Sequence, residues 1–156
     1  MARWLNDTEY RAWIGYRRMR LLLDAEVARD LLRGPGGLSA PDYDVLSALS
    51  SAADRRQRLS ALAARMLWSK SRLSRHIGRM EMRGLVVRVE DADDGRRADV
   101  VLTEKGERAI VEAAPAHVES VREHFIDLLT EEQLRVLGDV AEIVLARLPR
   151  SETDDT

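Results

Sequence analysis

The chain has no cysteine in 156 residues, which excludes disulfides, thiolate metal sites and thiol redox sensing. Aromatic residues make up only 4%, so the core must be built from Leu, Val, Ala and Ile, a composition common in helical proteins. No apolar run approaches the roughly 20 residues that a membrane span requires. Met1-Ala2-Arg3-Trp4 is not followed by the long apolar stretch of a signal peptide, so the expected location is the cytoplasm, with no membrane partner. There is no internal repeat, no Gly-rich phosphate loop, no Ser-His-Asp set and no metal-ligand cluster, so an enzyme finds no support and no cofactor is expected. The most informative absence is local. From Ser69 to Met80 there is no Asp or Glu, although 33% of the chain is charged.

The formal net charge of −2 conceals a strong asymmetry. Residues 1–54 hold 7 Lys/Arg against 8 Asp/Glu, residues 55–108 hold 14 against 8, and residues 109–156 hold 4 against 11. A basic middle beside an acidic end is the pattern of a small DNA-binding lobe joined to a lobe with another task. Hydrophobic content of 45% and a length of 156 residues suit one folded domain, or two small lobes sharing a core.

Helix signals recur along the chain. Asn6 and Glu9 form a capping box, with Leu5 and Tyr10 as a hydrophobic staple, and open a helix running to about Leu32. At about 39 Å this helix is too long for a small lobe to cover and is expected to reach a partner chain. Gly34-Pro35-Gly36-Gly37 stops it. Ser39, Asp42, Leu38 and Tyr43 repeat the cap, box and staple, and a second helix runs to about Ser51. Asp54-Arg55-Arg56-Gln57-Arg58 reads as a polar loop, followed by a short helix capped by Ser60 and a turn at Leu67-Trp68-Ser69.

The next helix, from Ser69 to Arg83, has two distinct sides. Leu73, Ile77 and Met80 recur at i, i+4 and i+7, while Arg72, Arg75, His76 and Arg79 recur at i, i+3, i+4 and i+7. After Gly84 the period changes to two: Leu85–Val89 and Ala98–Leu102 are strand-like, with Asp94-Gly95 as the turn between them. A later helix follows Thr103, is apolar at Ala109, Ile110, Ala113, Val118, Val121, Phe125, Leu128 and Leu129, and contains Pro115, which should bend or interrupt it. Thr130 and Gln133 box the last helix, and Ser151–Thr156 is expected to be a disordered tail. The fold class is therefore mainly α with a small β-hairpin wing: a winged helix-turn-helix lobe plus a helical lobe.

The ordered set Leu38-Ser39-Ala40-Pro41-Asp42-Tyr43-Asp44-Val45-Leu46, Leu59-Ser60-Ala61-Leu62-Ala63, Ser69-Lys70-Ser71, Arg79-Met80-Glu81-Met82-Arg83-Gly84-Leu85-Val86, Asp91-Ala92-Asp93-Asp94-Gly95-Arg96 and Leu102-Thr103-Glu104-Lys105-Gly106 resembles the MarR family of bacterial transcriptional regulators. The resemblance implies a homodimer, with residues 1–37 and 107–150 as dimerisation helices and 38–106 as the DNA-binding lobe, reading a pseudo-palindrome in double-stranded DNA. Many family members release DNA when a small-molecule effector enters a pocket between the lobes. The chain departs from the pattern at Leu67-Trp68, where a small or polar residue is usual. Leucine is costly at positive φ, so the turn is expected to take another backbone, or the preceding helix to run on.

On this layout the basic helix enters the major groove. Arg72 and Arg75 are the candidates for guanine edges, where Arg can bond O6 and N7 together. Ser69 can cap the helix; Ser71 and Ser74 can contact bases or phosphates, and Lys70 and Arg79 phosphates. His76 is placed on the exposed stripe, as either a base reader or a solvent- or phosphate-facing side chain. The resemblance makes Arg96 the minor-groove arginine of the wing, Asp94 the acid that orients it, and Arg97 a phosphate contact. Trp13, Tyr16, Arg17 and Tyr43 either line an effector pocket, with Arg17 pairing an anion, or pack into core and dimer interface. His117 and His124 lack the spacing of a zinc site. The expected function is a sequence-specific dimeric regulator, a repressor rather than an activator; the alternative is a winged-helix module for protein contact or an architectural DNA-binding role.

Overall fold

The structure, a computed structural model, describes residues 2–90 and 97–149. It contains helices α1 (Asp7–Arg33), α2 (Ala40–Ser50), α3 (Leu59–Met66), α4 (Lys70–Met82), α5 (Glu104–His124) and α6 (Glu131–Leu145), with strands β1 (Arg56–Arg58), β2 (Val86–Glu90) and β3 (Ala98–Leu102). The three capping boxes are present as read: Asn6 with Glu9, Ser39 with Asp42, and Thr130 with Gln133. The polar tail at 151–156 lies outside the described residues. No helix among them is long and apolar enough to cross a membrane.

Leu38, Val45, Leu46, Leu49, Leu62, Leu73, Ile77, Met80, Val86, Val100, Leu102 and Ile110 form one buried cluster, drawn from α2 to α5 and the sheet. The lobe at 38–106 thus holds most of the core. Outside it, α1 buries only Leu31 and α6 buries nothing, while Trp13, Ile14, Leu21, Leu22, Val140, Ile143 and Val144 stand exposed.

Four expectations change. The segment read as a polar loop at 54–58 is a 3-10 turn over Ala53–Arg55 followed by β1, which pairs antiparallel with β3, Gln57 opposite Val100. The sheet therefore has three strands, ordered β1-β3-β2. Because β1 runs straight into α3, Arg58 is the N-cap residue and no side chain caps the helix; Ser60 already lies inside the first turn. Pro115 does not interrupt α5, which continues from Glu104 to His124; Pro115 and Val111, the residue four before it, are both exposed, so water can reach the carbonyl that proline leaves without a donor. The same helix ends earlier than its apolar stripe suggests, and Ile126–Leu128 form a separate 3-10 turn.

The turn after α3 is a fifth correction. Leu67 does adopt the left-handed conformation, at φ 54° and ψ 39°. Its N–H bonds the Ala64 carbonyl at 3.1 Å and the Trp68 N–H bonds the Ala63 carbonyl at 2.9 Å, the pair of bonds that defines a Schellman motif. Two satisfied helix carbonyls offset part of the strain of a left-handed leucine. The turn between α3 and α4 is thus left-handed without glycine.

A second junction fixes the wing. Thr103 Oγ1 donates toward the carbonyls of Gly84 (2.6 Å) and Leu85 (3.0 Å) and accepts the Gly106 N–H (3.0 Å). Lys105 Nζ donates to the Arg83 carbonyl at 2.7 Å. Gly106 passes so close to the chain that a Cβ there would lie 2.1 Å from the Leu85 carbonyl oxygen. The run Thr103–Gly106 is therefore a clasp that locks the start of α5 onto the turn between α4 and β2.

Candidate nucleic-acid interface

The helix α4 begins where Ser69 Oγ accepts the Arg72 N–H at 3.3 Å, with Ser71 Oγ 3.2 Å away. Leu73, Ile77 and Met80 are completely buried, which fixes the rotation of the helix about its axis. That rotation leaves Ser69, Lys70, Ser71, Arg72, Arg75 and Arg79 exposed on one side. Among the described residues, no carboxylate lies within ion-pair distance of Lys70, Arg72, Arg75 or Arg79. An uncompensated cationic face at the start of a helix is suited to a polyanion: the charges attract phosphates, and the guanidinium forks fit base edges.

Two predicted contacts are placed differently. His76 is 7% exposed and belongs to the buried side, not the exposed stripe. Leu73, His76, Ile77 and Met80 recur at i, i+3, i+4 and i+7, so the stripe is one residue wider than the apolar positions alone suggest. The Nε2 atom of His76 lies 3.1 Å from Asp42 Oδ1, close but poorly aligned for a full hydrogen bond. Arg79 Nη2 lies 3.2 Å from His76 Nδ1, an atom that a guanidinium can meet only as donor. Ser74 is half-buried, and Arg88 of β2 donates to its hydroxyl (3.1 Å) and to its carbonyl (2.8 Å). Ser74 thus binds the sheet to α4 instead of projecting outward.

Asp42 does more than the capping its sequence position predicts. Its carboxylate, 2% exposed, accepts the Ser39 N–H at 3.0 Å and Arg83 Nη1 at 2.7 Å, besides facing His76. Burial alone would raise its pKa; the close approach of His76 and the bonds from Arg83 and the Ser39 backbone outweigh burial and hold it well below the usual carboxylate range. Asp42 therefore ties the start of α2 to the middle and end of α4. Arg88 is the other residue that the sequence reading missed; its backbone N–H also bonds Glu81 Oε1 at 2.7 Å.

Trp68 packs partly into the core beside α4. The Arg72 guanidinium lies 3.7 Å above its ring centre, and His76 meets the ring edge-on at 5.6 Å. Asp94 and Arg96 lie outside the described residues; Arg97, just before β3, is described and exposed.

The four candidate effector residues do not gather in one chain. Trp13 and Tyr16 stack at 6.2 Å with Arg17 5.9 Å from the Trp13 ring, all on exposed α1. Tyr43 instead lies against His117 of α5, the ring centres 4.2 Å apart and the planes tilted by 37°. Burial holds His117 below its ordinary pKa, and its Nδ1 has no hydrogen-bond partner among the described residues. His124 Nε2 and Ser120 Oγ both bond Asp30 Oδ2, at 2.8 and 2.7 Å. Among the described residues, no three His, Asp or Glu are grouped to hold a metal.

Comparison with known proteins places this geometry. A family profile described as "MarR family" matches residues 36–97. The transcriptional regulator HosA of Escherichia coli O127:H6 is 35% identical over 118 residues, which span 76% of this chain and 84% of HosA. Sco3205 of Streptomyces coelicolor, a MarR family transcriptional regulator whose crystal structure is in complex with DNA, is 34% identical with a TM-score of 0.88, over 99% of this chain and 96% of that one. AbsC, a MarR family regulator of the same organism, is 41% identical with a TM-score of 0.81, over 94% of this chain and all of AbsC.

Proposed function

The chain belongs to the MarR family of transcriptional regulators, and on that premise we propose that it acts as a homodimer that reads a pseudo-palindromic DNA site, as a repressor that a small-molecule effector releases. One observation carries the DNA reading: α4 presents Lys70, Arg72, Arg75 and Arg79 on a face with no paired acid among the described residues, while its other side is locked into the core. Arg72 and Arg75 read guanine edges in the major groove; Lys70 and Arg79 hold phosphates and set the register. Arg96 enters the minor groove with Asp94 orienting it, on the strength of the family pattern, and Arg97 meets the backbone. Ser69 and Ser71, exposed at the helix start, bond phosphate oxygens.

The dimer follows from the uncovered apolar side chains of α1 and α6, which a monomer would leave in water. Residues 1–37 and 107–150 are the dimerisation elements in this proposal. For the effector, the Tyr43–His117 pair supplies an aromatic face and an unsatisfied Nδ1, and the Trp13, Tyr16 and Arg17 group supplies a second aromatic face with a cation.

The test is a set of variants assayed by fluorescence anisotropy on a duplex that the wild-type protein selects from a random pool. Arg72→Ala should relax preference at one base pair by about 1–3 kcal/mol, whereas Lys70→Ala should weaken all duplexes alike and lower the salt slope by about 1. Arg96→Ala should weaken binding. Wild-type affinity and base preference in all three would overturn the proposal.

A further inference from the structure

The departure from the family pattern at Leu67-Trp68 has a structural counterpart beside the basic face. Trp68 follows the left-handed Leu67, its backbone N–H is held by the Ala63 carbonyl at 2.9 Å, and its ring is half-buried against the core. The ring is therefore a fixed plate, steadied by the His76 ring set nearly perpendicular to it, 5.6 Å between centres. On its face lies the guanidinium of Arg72, 3.7 Å from the ring centre.

A guanidinium uses its face for stacking and its edge for hydrogen bonding, so the two contacts do not compete. An exposed arginine otherwise samples many rotamers, and ordering it against a base opposes binding. A stacked arginine has lost much of that freedom before DNA arrives.

We infer that Trp68 is a specificity-determining positioning residue: it stacks on Arg72 and presets the guanidinium edge for a guanine in the major groove. The inference rests on the reading of Arg72 proposed above. Trp68 itself touches no base; it acts through Arg72. The relevant substrate feature is the O6/N7 edge of one guanine in each half-site.

The experiment is a double-mutant cycle on full-length protein with the selected duplex, comparing guanine with 7-deazaguanine at the base pair where Arg72→Ala relaxes preference. Trp68→Leu keeps apolar bulk but removes the π face, and Trp68→Phe keeps a ring. Trp68→Leu is expected to weaken binding about 3- to 10-fold, to add nothing when Arg72 is already Ala, and to shrink the penalty for 7-deazaguanine. Trp68→Phe, the conservative variant, should restore most of the loss. Independent, multiplying losses from Trp68→Leu and Arg72→Ala, or a 7-deazaguanine penalty unchanged in Trp68→Leu, would overturn the inference while leaving Arg72 as a reader. Wild-type behaviour of Arg72→Ala itself would instead remove the reading on which the inference rests. A general loss of fold in Trp68→Leu would appear as a fall in melting temperature; the decision then passes to Trp68→Phe, whose 7-deazaguanine penalty should match wild type and overturns the inference if it vanishes.

Discussion

Replacing Asp42 by Ala removes several interactions at one point, and the structure sets the size of the effect. The carboxylate closes the capping box of α2, a contribution of about 1 kcal/mol. It also faces His76, whose imidazole is buried at 7% exposure and would lose the acid beside it, at about 1–3 kcal/mol. Arg83 is 42% exposed at its side chain and can turn to water, so its loss adds little. The sum is about 2–4 kcal/mol, large beside the total stability of a domain. For a chain of this length that corresponds to a fall in melting temperature of roughly 5–15 °C. Urea and thermal unfolding followed by circular dichroism, with wild type and variant at the same protein concentration, provide the measurement. The pH dependence adds a sign. The folded state holds Asp42 below its ordinary pKa, so its contribution is complete above the usual carboxylate range and shrinks as pH falls below about 4. The gap between wild type and Asp42→Ala should therefore narrow on acidification. A variant within 0.5 kcal/mol of wild type (about the scatter of a neutral surface change), or a gap that widens toward low pH, would refute the role assigned to Asp42.

Two further substitutions test the backbone of the winged lobe. Leu67→Gly relieves a left-handed leucine that is 81% exposed; the gain of about 1 kcal/mol is reduced slightly by lost burial, so urea unfolding should show a net stabilisation of roughly 0.5 kcal/mol. A destabilised Leu67→Gly would mean that this side chain makes contacts worth more than its strain. Gly106→Ala sets a Cβ against the Leu85 carbonyl, and thermal unfolding should show a loss of about 3 kcal/mol or more, because backbone must move to make room. Wild-type stability in that variant would show that the clasp at Thr103–Gly106 is looser than described.

Much of the lobe was legible because its signals are local. A cap and its box partner lie three residues apart, so Asn6–Glu9, Ser39–Asp42 and Thr130–Gln133 could be read directly and all formed. The change of period after Gly84 likewise located β2 and β3. Strand β1 was hidden because Arg56-Gln57-Arg58 carries no apolar alternation; it forms because β3 offers it a free edge, a partner more than 40 residues away. His76 was misplaced for a related reason. A charged-looking residue beside three arginines reads as part of their stripe, although its offsets from Leu73 and Met80 fit the buried side equally well, and the acid that makes its burial tolerable is 34 positions upstream. Ser74 shows the same limit, since only the folded sheet brings Arg88 to it. The stack of Arg72 on Trp68 depends on the backbone of Leu67, whose left-handed conformation contradicts what leucine prefers on its own.

Sequence-specific DNA binding through α4 is tested most directly by the dissociation constant of the wild-type protein for its selected duplex and for a scrambled duplex of equal composition, each measured from 50 to 200 mM salt. The expected result is binding at least about 1,000-fold tighter to the selected duplex, with both affinities falling steeply as salt rises. Equal affinity for the two duplexes, or affinity indifferent to salt, would contradict it.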